Sequence, residues 1–346
     1  MDILVVYQFC TFGGVERVVL NRAQSFRKHG LDVNIHIGYL RDRGALASFN
    51  AYLQANNLRG RVTPFIFPKD LAHDWGKYEY VFIVDTPEVF AASAAAKNVH
   101  VECHTPYIQS RQYLRELPAH IKSIIVPSRA FKDIIESEFD TLPEVRVFPN
   151  PVADEYLNLK APAKETIFTR RPVTYFARVE DLKNFIEAAR IFETIADQDD
   201  LMYWVVGENA DEKQVIQSLE RKGLLAKSFL RSHVDFNRVT DLVRMVKGHH
   251  GVFLSPSKGE SFGLSAAEFI SGGVPVLLSD ISPHVELVGG DQRFIYPLGD
   301  VTTAREKLLW LFSHWDEASQ VMTATGKKFD GENFIRSWRE FLERYP

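Results

Sequence analysis

The chain has 346 residues, 45% hydrophobic and 25% charged, with a formal net charge of −4. That is long for one core and ordinary for a globular enzyme, so two domains of roughly 150 residues each are expected. Residues 1–150 carry 17 basic and 16 acidic side chains, and residues 151–346 carry 24 and 29. Neither half has the basic stripe of a nucleic-acid binder, and no nucleic-acid partner is expected.

The chain opens on Met1-Asp-Ile-Leu-Val-Val-Tyr-Gln-Phe9, which lacks the basic region and cleavage site of a signal peptide and reads as a first buried strand over 3–7. Further β-rich apolar runs lie at 33–38, 80–84, 100–103 and 124–127. Between the first two, Val15, Val18, Val19, Ala23 and Phe26 fall at helical spacing over 15–29, and Gly30 supplies a stop. Ser128 stands as N-cap to a helix over 129–139. Cys10 and Cys103 are the only cysteines, which excludes a disulfide framework and fits a reducing compartment.

The second half repeats the scheme. Strands are predicted at 173–176, 203–206, 251–255 and 275–278, and helices at 185–195, 212–222, 239–247, 264–271 and 303–311. Continuous rather than alternating apolar strands imply parallel sheets covered on both faces, hence α/β layers. Two such units joined near 149–162, with 158–164 as the linker, make a cleft enzyme the expected architecture. No apolar run approaches the ~18 residues of a membrane span. A cytoplasmic protein is expected, with peripheral contact at the inner membrane face left open.

The densest signal is Pro256-Ser-Lys-Gly-Glu260-Ser-Phe-Gly263-Leu-Ser-Ala-Ala-Glu268-Phe-Ile-Ser-Gly272-Gly-Val-Pro275-Val, which follows a strand and opens a helix. Gly259 and Gly263 permit a tight loop whose backbone N–H groups stay uncovered, and the helix N-terminus adds a positive dipole suited to a diphosphate. Glu268 sits among Leu264, Ala266, Ala267, Phe269 and Ile270, where an unpaired carboxylate is costly. A ribose diol would supply two donors to it; a structural Arg is the alternative. Glu260 is read as accepting from sugar hydroxyls, or else as a solvated carboxylate.

Glu260 and Glu268, with seven residues between them, and the flanking Pro-Ser and Gly-Gly-Val-Pro-Val resemble the Glu-x7-Glu pattern of retaining glycosyltransferases of family 4. The resemblance implies the GT-B fold, with two Rossmann-like parallel-sheet domains facing across a cleft. It implies an acceptor domain at 1–152, a nucleotide-sugar domain at 153–330, and a closing helix at 331–346 that returns to the first. It assigns Glu260 to the donor hexose and Glu268 to the ribose, and brings the backbone of Ser261, Phe262, Gly263 and Leu264 to the phosphates and sugar. Phe12-Gly13-Gly14-Val15-Glu16-Arg17 resembles the family's first Gly-Gly loop, with Gly13 and Gly14 approaching the donor; a plain tight turn is the other reading. Ala177-Arg178-Val-Glu-Asp-Leu-Lys183-Asn184 resembles the segment carrying the phosphate-binding Arg and Lys, although the family more often has Gly at both ends; plain surface charge is the other reading for Arg178 and Lys183. His104, at the end of a strand, matches the position of a family active-site His and is expected to bond the transferred sugar or stabilise the transition state rather than attack, a structural histidine being the other reading; Cys103 beside it reads as a small buried residue. The turn at 147–152 resembles the one ending the family's first domain.

The implied catalytic set is therefore His104, Arg178, Lys183 and Glu260. The implied reaction is retaining, metal-independent transfer of a hexose, glucose favoured, from a UDP-sugar to a hydroxyl acceptor in polysaccharide or glycoconjugate synthesis. No Asp-x-Asp site is expected in the chain, so a catalytic metal is not required, and no cofactor beyond the UDP-sugar co-substrate is expected. The acceptor is read as a saccharide or a lipid-linked molecule. The Arg-bearing loops at 40–48 (Arg41, Arg43) and 105–115 (Arg111, Arg115) either meet it or are solvated. Two segments depart from the family pattern: Asp235 stands for a Gly in the base-binding stretch 229–236, and Gly-x-Gly is reduced to Gly207-Glu208-Asn209. The rival readings are a UDP-sugar 2-epimerase of the same fold and a silent nucleotide-sugar binder. A Rossmann dehydrogenase is disfavoured because the first strand leads into Phe-Gly-Gly rather than Gly-x-Gly-x-x-Gly.

Overall fold

The computed structural model describes residues 1–160, 169–207, 212–231 and 234–346. Much of the 158–164 linker, Glu208 and Asn209, and two positions of the 229–236 stretch lie outside the described residues. The contacts divide the chain into two units, Met1–Pro151 with Gly331–Pro346, and Val152–Asp330.

The first unit runs β1 (Asp2–Cys10), α1 (Gly14–Lys28), β2 (Asn34–Asp42), α2 (Leu46–Ala55), β3 (Val62–Ile66), β4 (Tyr80–Val84), α3 (Phe90–Ser93), β5 (Val99–Glu102), β6 (Ile121–Val126), α4 (Arg129–Glu138) and β7 (Glu144–Val147). Its strands form one parallel sheet in the order β3-β2-β1-β4-β5-β6-β7. Every residue of β4 and β5 is buried, as a central strand covered on both faces requires. Ser128 caps α4, its Oγ accepting from Phe131 N at 3.1 Å.

In the second unit, α5 (Asp154–Leu157) precedes β8 (Arg171–Phe176), α6 (Phe185–Thr194), β9 (Leu201–Val206), α7 (Glu212–Arg221), β10 (Ser228–Arg231), α8 (Val239–Gly248) and β11 (Val252–Ser255). Then follow α9 (Leu264–Ser271), β12 (Val276–Ser279), α10 (Ser282–Leu287), β13 (Ile295–Tyr296), α11 (Val301–Ser313) and α12 (Trp315–Gly326). The second parallel sheet has the order β10-β9-β8-β11-β12-β13. Helix α12 lies against α9: a Cβ on Gly326 would stand 2.6 Å from Ser271 Cα, so only glycine permits that approach.

The last helix, α13 (Glu332–Arg344), belongs to the first unit. Its apolar face presents Phe334, Ile335, Trp338 and Phe341, all buried. Phe26 of α1 meets the rings of Phe334 and Trp338 at 5.2 and 5.0 Å. Phe148 meets Phe341 at 5.2 Å, and Tyr80 Oη donates to the Tyr345 carbonyl. Among the described residues no helix is long and apolar enough to cross a membrane.

Two expectations are corrected. The 40–48 stretch is not a loop: β2 runs on to Asp42 and α2 starts at Leu46, with Asp42 Oδ1 accepting from the amides of Gly44, Ala45 and Leu46. The 105–115 stretch holds a 3-10 turn, Ile108–Glu116, in which Arg111 is buried rather than presented outward. Its Nε donates to Glu138 Oε2 at 2.7 Å, a second nitrogen pairs with Oε1, and NH1 donates to the Thr105 carbonyl at 3.3 Å. A guanidinium so engaged closes that segment onto α4 and is not available to an acceptor.

Candidate active site

In each sheet the chain starts at a central strand, winds to one edge, and crosses back to continue on the other side. The crevice outside the carboxyl ends of the two strands flanking that reversal is where open parallel sheets hold ligands. In the second unit those strands are β8 and β11. The loop after β8 carries Arg178 and Lys183, and the loop after β11 carries the Pro256–Gly263 string, so topology alone brings the two segments together.

Side chains then fix them. Buried Tyr175, on β8, donates its hydroxyl to the carbonyls of Arg178 (3.0 Å) and Lys183 (3.4 Å). Asn184 adopts the left-handed conformation, φ 56° and ψ 46°, which Asn tolerates better than most residues. Its amide donates to Glu187 Oε2 (2.7 Å) and across to the Pro256 carbonyl (3.1 Å). Lys258 N donates to the Leu182 carbonyl at 2.8 Å, and its ammonium to Asp181 at 2.6 Å.

At the centre, Lys183 Nζ donates to Glu260 Oε1 at 2.6 Å, and Ser257 Oγ donates to the same oxygen at 2.9 Å. Burial pushes the Glu260 carboxyl up, but the Lys183 ammonium, the nearby His284 ring and the Ser257 hydroxyl together outweigh it, and the net shift is below the ordinary range. Each is thus the other's counter-ion, yet an ammonium has three donors and Glu260 uses one. Arg178 is 51% exposed, with NH2 3.1 Å from Glu180 Oε1, and turns much of its guanidinium to solvent.

Gly263 opens α9 in the left-handed region at φ 92°. A Cβ there would stand 3.0 Å from Leu287 Cδ1 and 3.6 Å from His284 Cδ2, so the turn into the helix is both strained and crowded for any other residue. Ser261 and Leu264 are half-buried; Phe262 is buried edge-on against Phe329 at 5.9 Å. Glu268, one turn into α9, is fully buried.

Sequence reasoning missed His284, on α10 beside Gly263. It is fully buried, and its Nδ1 lies 3.0 Å from Ser279 Oγ and 3.2 Å from the Ser279 carbonyl. Ser279 Oγ donates its own hydrogen to the Ser257 carbonyl at 2.6 Å, so both atoms facing Nδ1 accept and Nδ1 carries the proton. Nε2 is buried without a partner among the described residues. Burial holds the ring neutral, its pKa down at about 4.

In the first unit the strands flanking the reversal are β1 and β4. Gly13 and Gly14 follow β1. The Gly13 amide is already taken, donating to Glu16 Oε2 at 2.8 Å, and Thr11 N donates to Oε1 at 3.2 Å. Around Gly14 there is open space. His104 follows β5, its Nε2 2.8 Å from Glu102 Oε2. Cys103 is buried, and burial drives its thiol well up, away from nucleophilic chemistry. An Asp-x-Asp triplet does occur at Asp197-Gln198-Asp199, contrary to expectation. It precedes β9, at the amino edge of the sheet opposite these loops, and Asp199 pairs with Lys227 at 3.1 Å.

Residues 160–329 match the family model described as glycosyl transferases group 1. No curated protein matches the chain in sequence. Among solved structures, S. aureus TarM is 13% identical with a TM-score of 0.76, the match covering 99% of this chain and 98% of that one. HepE of Anabaena in complex with UDP-glucose is 15% identical with a TM-score of 0.78, covering 99% and 100%. The pneumococcal O-GlcNAc transferase GtfA in complex with UDP and GlcNAc is 13% identical with a TM-score of 0.73, covering 100% and 99%. At these identities the likeness establishes the fold, which is GT-B, with two Rossmann-like parallel-sheet domains.

Proposed function

We propose that the protein is a retaining glycosyltransferase that moves a hexose from a UDP-sugar to a hydroxyl acceptor without a catalytic metal. The observation that carries this reading is the pairing of Lys183 with Glu260 at the switch point of the second sheet, beside the amino end of α9. The diphosphate sits there against the first amides of the helix, with Arg178 and Lys183 as its cations. Glu268 grips the ribose and Glu260 the hexose, keeping Lys183 bridged between sugar and phosphate.

As the sugar–phosphate bond breaks, negative charge grows on the departing UDP and oxocarbenium character on the sugar. Fixed cations and helix amides stabilise that separation more than they stabilise bound substrate. The uridine base is supported by the neighbours crystallised with UDP or UDP-sugars. Glucose is the favoured hexose, and the acceptor is a saccharide or lipid-linked hydroxyl.

The test is transfer from UDP-glucose and UDP-GlcNAc to saccharide acceptors, comparing wild type with the Arg178→Ala/Lys183→Ala double variant. Turnover is expected to fall at least about 100-fold, the scale of losing transition-state charge stabilisation. Near-normal turnover in the variant contradicts the assignment. Formation of an epimer from donor alone, read by NMR, points instead to an isomerase.

A further inference from the structure

The buried charges of the first unit form a chain that ends on His104. Strand β5 ends at Glu102, whose side chain is all but inaccessible, and alternation along extended backbone sets residues 102 and 104 on one side. Arg22, in the middle of α1, donates from NH1 to both Glu102 oxygens, at 2.7 and 3.0 Å. Glu102 Oε2 also faces His104 Nε2 at 2.8 Å. The backbone of His104 is held separately: its amide donates to Asp85 Oδ2 at 3.0 Å, and Tyr113 Oη donates to Asp85 Oδ1 at 2.8 Å.

Arg22 is expensive where it stands. Its Nε and NH2 are buried without partners among the described residues, and its guanidinium lies 5.7 Å from the Phe148 ring and 5.3 Å from that of Phe334. A desolvated cation with two unmet nitrogens does not favour the fold over an apolar side chain of similar volume. What it does is hold Glu102 ionised: burial raises that carboxyl, but Arg22 and His104 together bring it down to about 2. An ionised carboxylate can only accept, so the hydrogen between it and the imidazole resides on Nε2.

We propose that Arg22 and Glu102 are positioning residues that lock His104 in the Nε2–H tautomer, leaving the Nδ1 lone pair to accept a hydrogen bond from a hydroxyl of the transferred sugar. The proposal rests on the transferase reading for the identity of that hydroxyl, but not for the lock itself. With the Nε2 hydrogen committed to Glu102, Nδ1 is the ring nitrogen left to meet sugar. The lock fixes the tautomer and the orientation of the ring through the carboxylate, as an outer carboxylate does for a catalytic or metal-bound histidine.

The lock is tested first without any substrate, on wild-type protein labelled with ¹⁵N-histidine, with the His104 signals assigned by their loss in His104→Gln. Where the ring is neutral, Nε2 is expected to show the shift of a protonated nitrogen and Nδ1 that of a bare one; the reverse pattern overturns the lock. The second arm uses Arg22→Gln/Glu102→Gln, which removes both charges and leaves neither buried alone. It is expected to show a tautomer mixture and a kcat about 10–100-fold lower, with UDP affinity by calorimetry unchanged. An unchanged kcat with the lock lost overturns the role given to it in transfer. If wild type transfers no sugar at all, the transferase reading fails, and the nitrogen shifts still decide the lock.

Discussion

Lys183 and Glu260 neutralise each other 2.6 Å apart at the mouth of a sheet crevice, a place where structure alone has little need of an ion pair. Both were singled out in the sequence because each stands in a short string that follows a strand, Glu260 with Gly259 and Gly263 around it and Lys183 with Arg178 upstream. His284 was not: in Ser282-Pro-His-Val-Glu-Leu287 it is one histidine on a short helix, with nothing in its spacing to mark it. Nor did spacing show that Arg111 would turn inward to Glu138. The burial of His284 has a measurable consequence. Its folded-state pKa of about 4 lies below the usual 6.5, so stability present above pH 6.5 is lost as pH falls toward 4, where the unfolded chain binds the proton and the folded one does not. The loss is on the order of 3 kcal/mol. Urea midpoints of the second unit at pH 7 and pH 4.5 should therefore differ less in His284→Gln than in wild type; an equal difference would remove His284 as the cause. His100, held down to about 3 by burial, adds a similar slope in the first unit.

Helix α9 is the element on which the donor site turns. Gly263→Ala forces a side chain into φ 92° and to 3.0 Å from Leu287 Cδ1. Strain of that kind costs about 1–3 kcal/mol, and relieving it moves the first amides of the helix. UDP affinity measured by calorimetry should drop roughly tenfold or more, and an unchanged Kd contradicts the placement of phosphate there. The elements themselves divide by position in the sheet. The central strands were legible as unbroken apolar runs. Those missed, β3, β7, β10 and β13, are the edges of the two sheets. An edge strand has one ladder partner and less to bury, so it tolerates Pro64 in β3, Glu144 and Arg146 in β7, Ser228 and Arg231 in β10, and only two residues in β13. Such strands leave no hydrophobic period to read.

At the scale of the molecule, the chain ends by returning to the unit in which it began. Helix α13 buries Phe334, Trp338 and Phe341 against α1 and its neighbours. Each such side chain contributes about 1.5–3 kcal/mol, a sum comparable with the whole stability of a typical domain. Truncation after Asp330 should therefore open the first unit while sparing the second. Hydrogen exchange is expected to show lost protection in β4–β7 and retained protection in β8, β9, β11 and β12; uniform protection contradicts that dependence. The two-unit α/β plan was legible because parallel strands and helices alternate so regularly. What the sequence withheld was the buried polar wiring, since Arg22 and Glu102 lie far apart in the chain and break the local rule that such elements bury apolar groups.

The most direct measurement is a crystal structure with UDP bound. Its diphosphate is expected at the amino end of α9 within hydrogen-bond reach of Arg178 and Lys183, with the ribose hydroxyls on Glu268. A nucleotide bound elsewhere, or a ribose remote from Glu268, would contradict the proposed donor site.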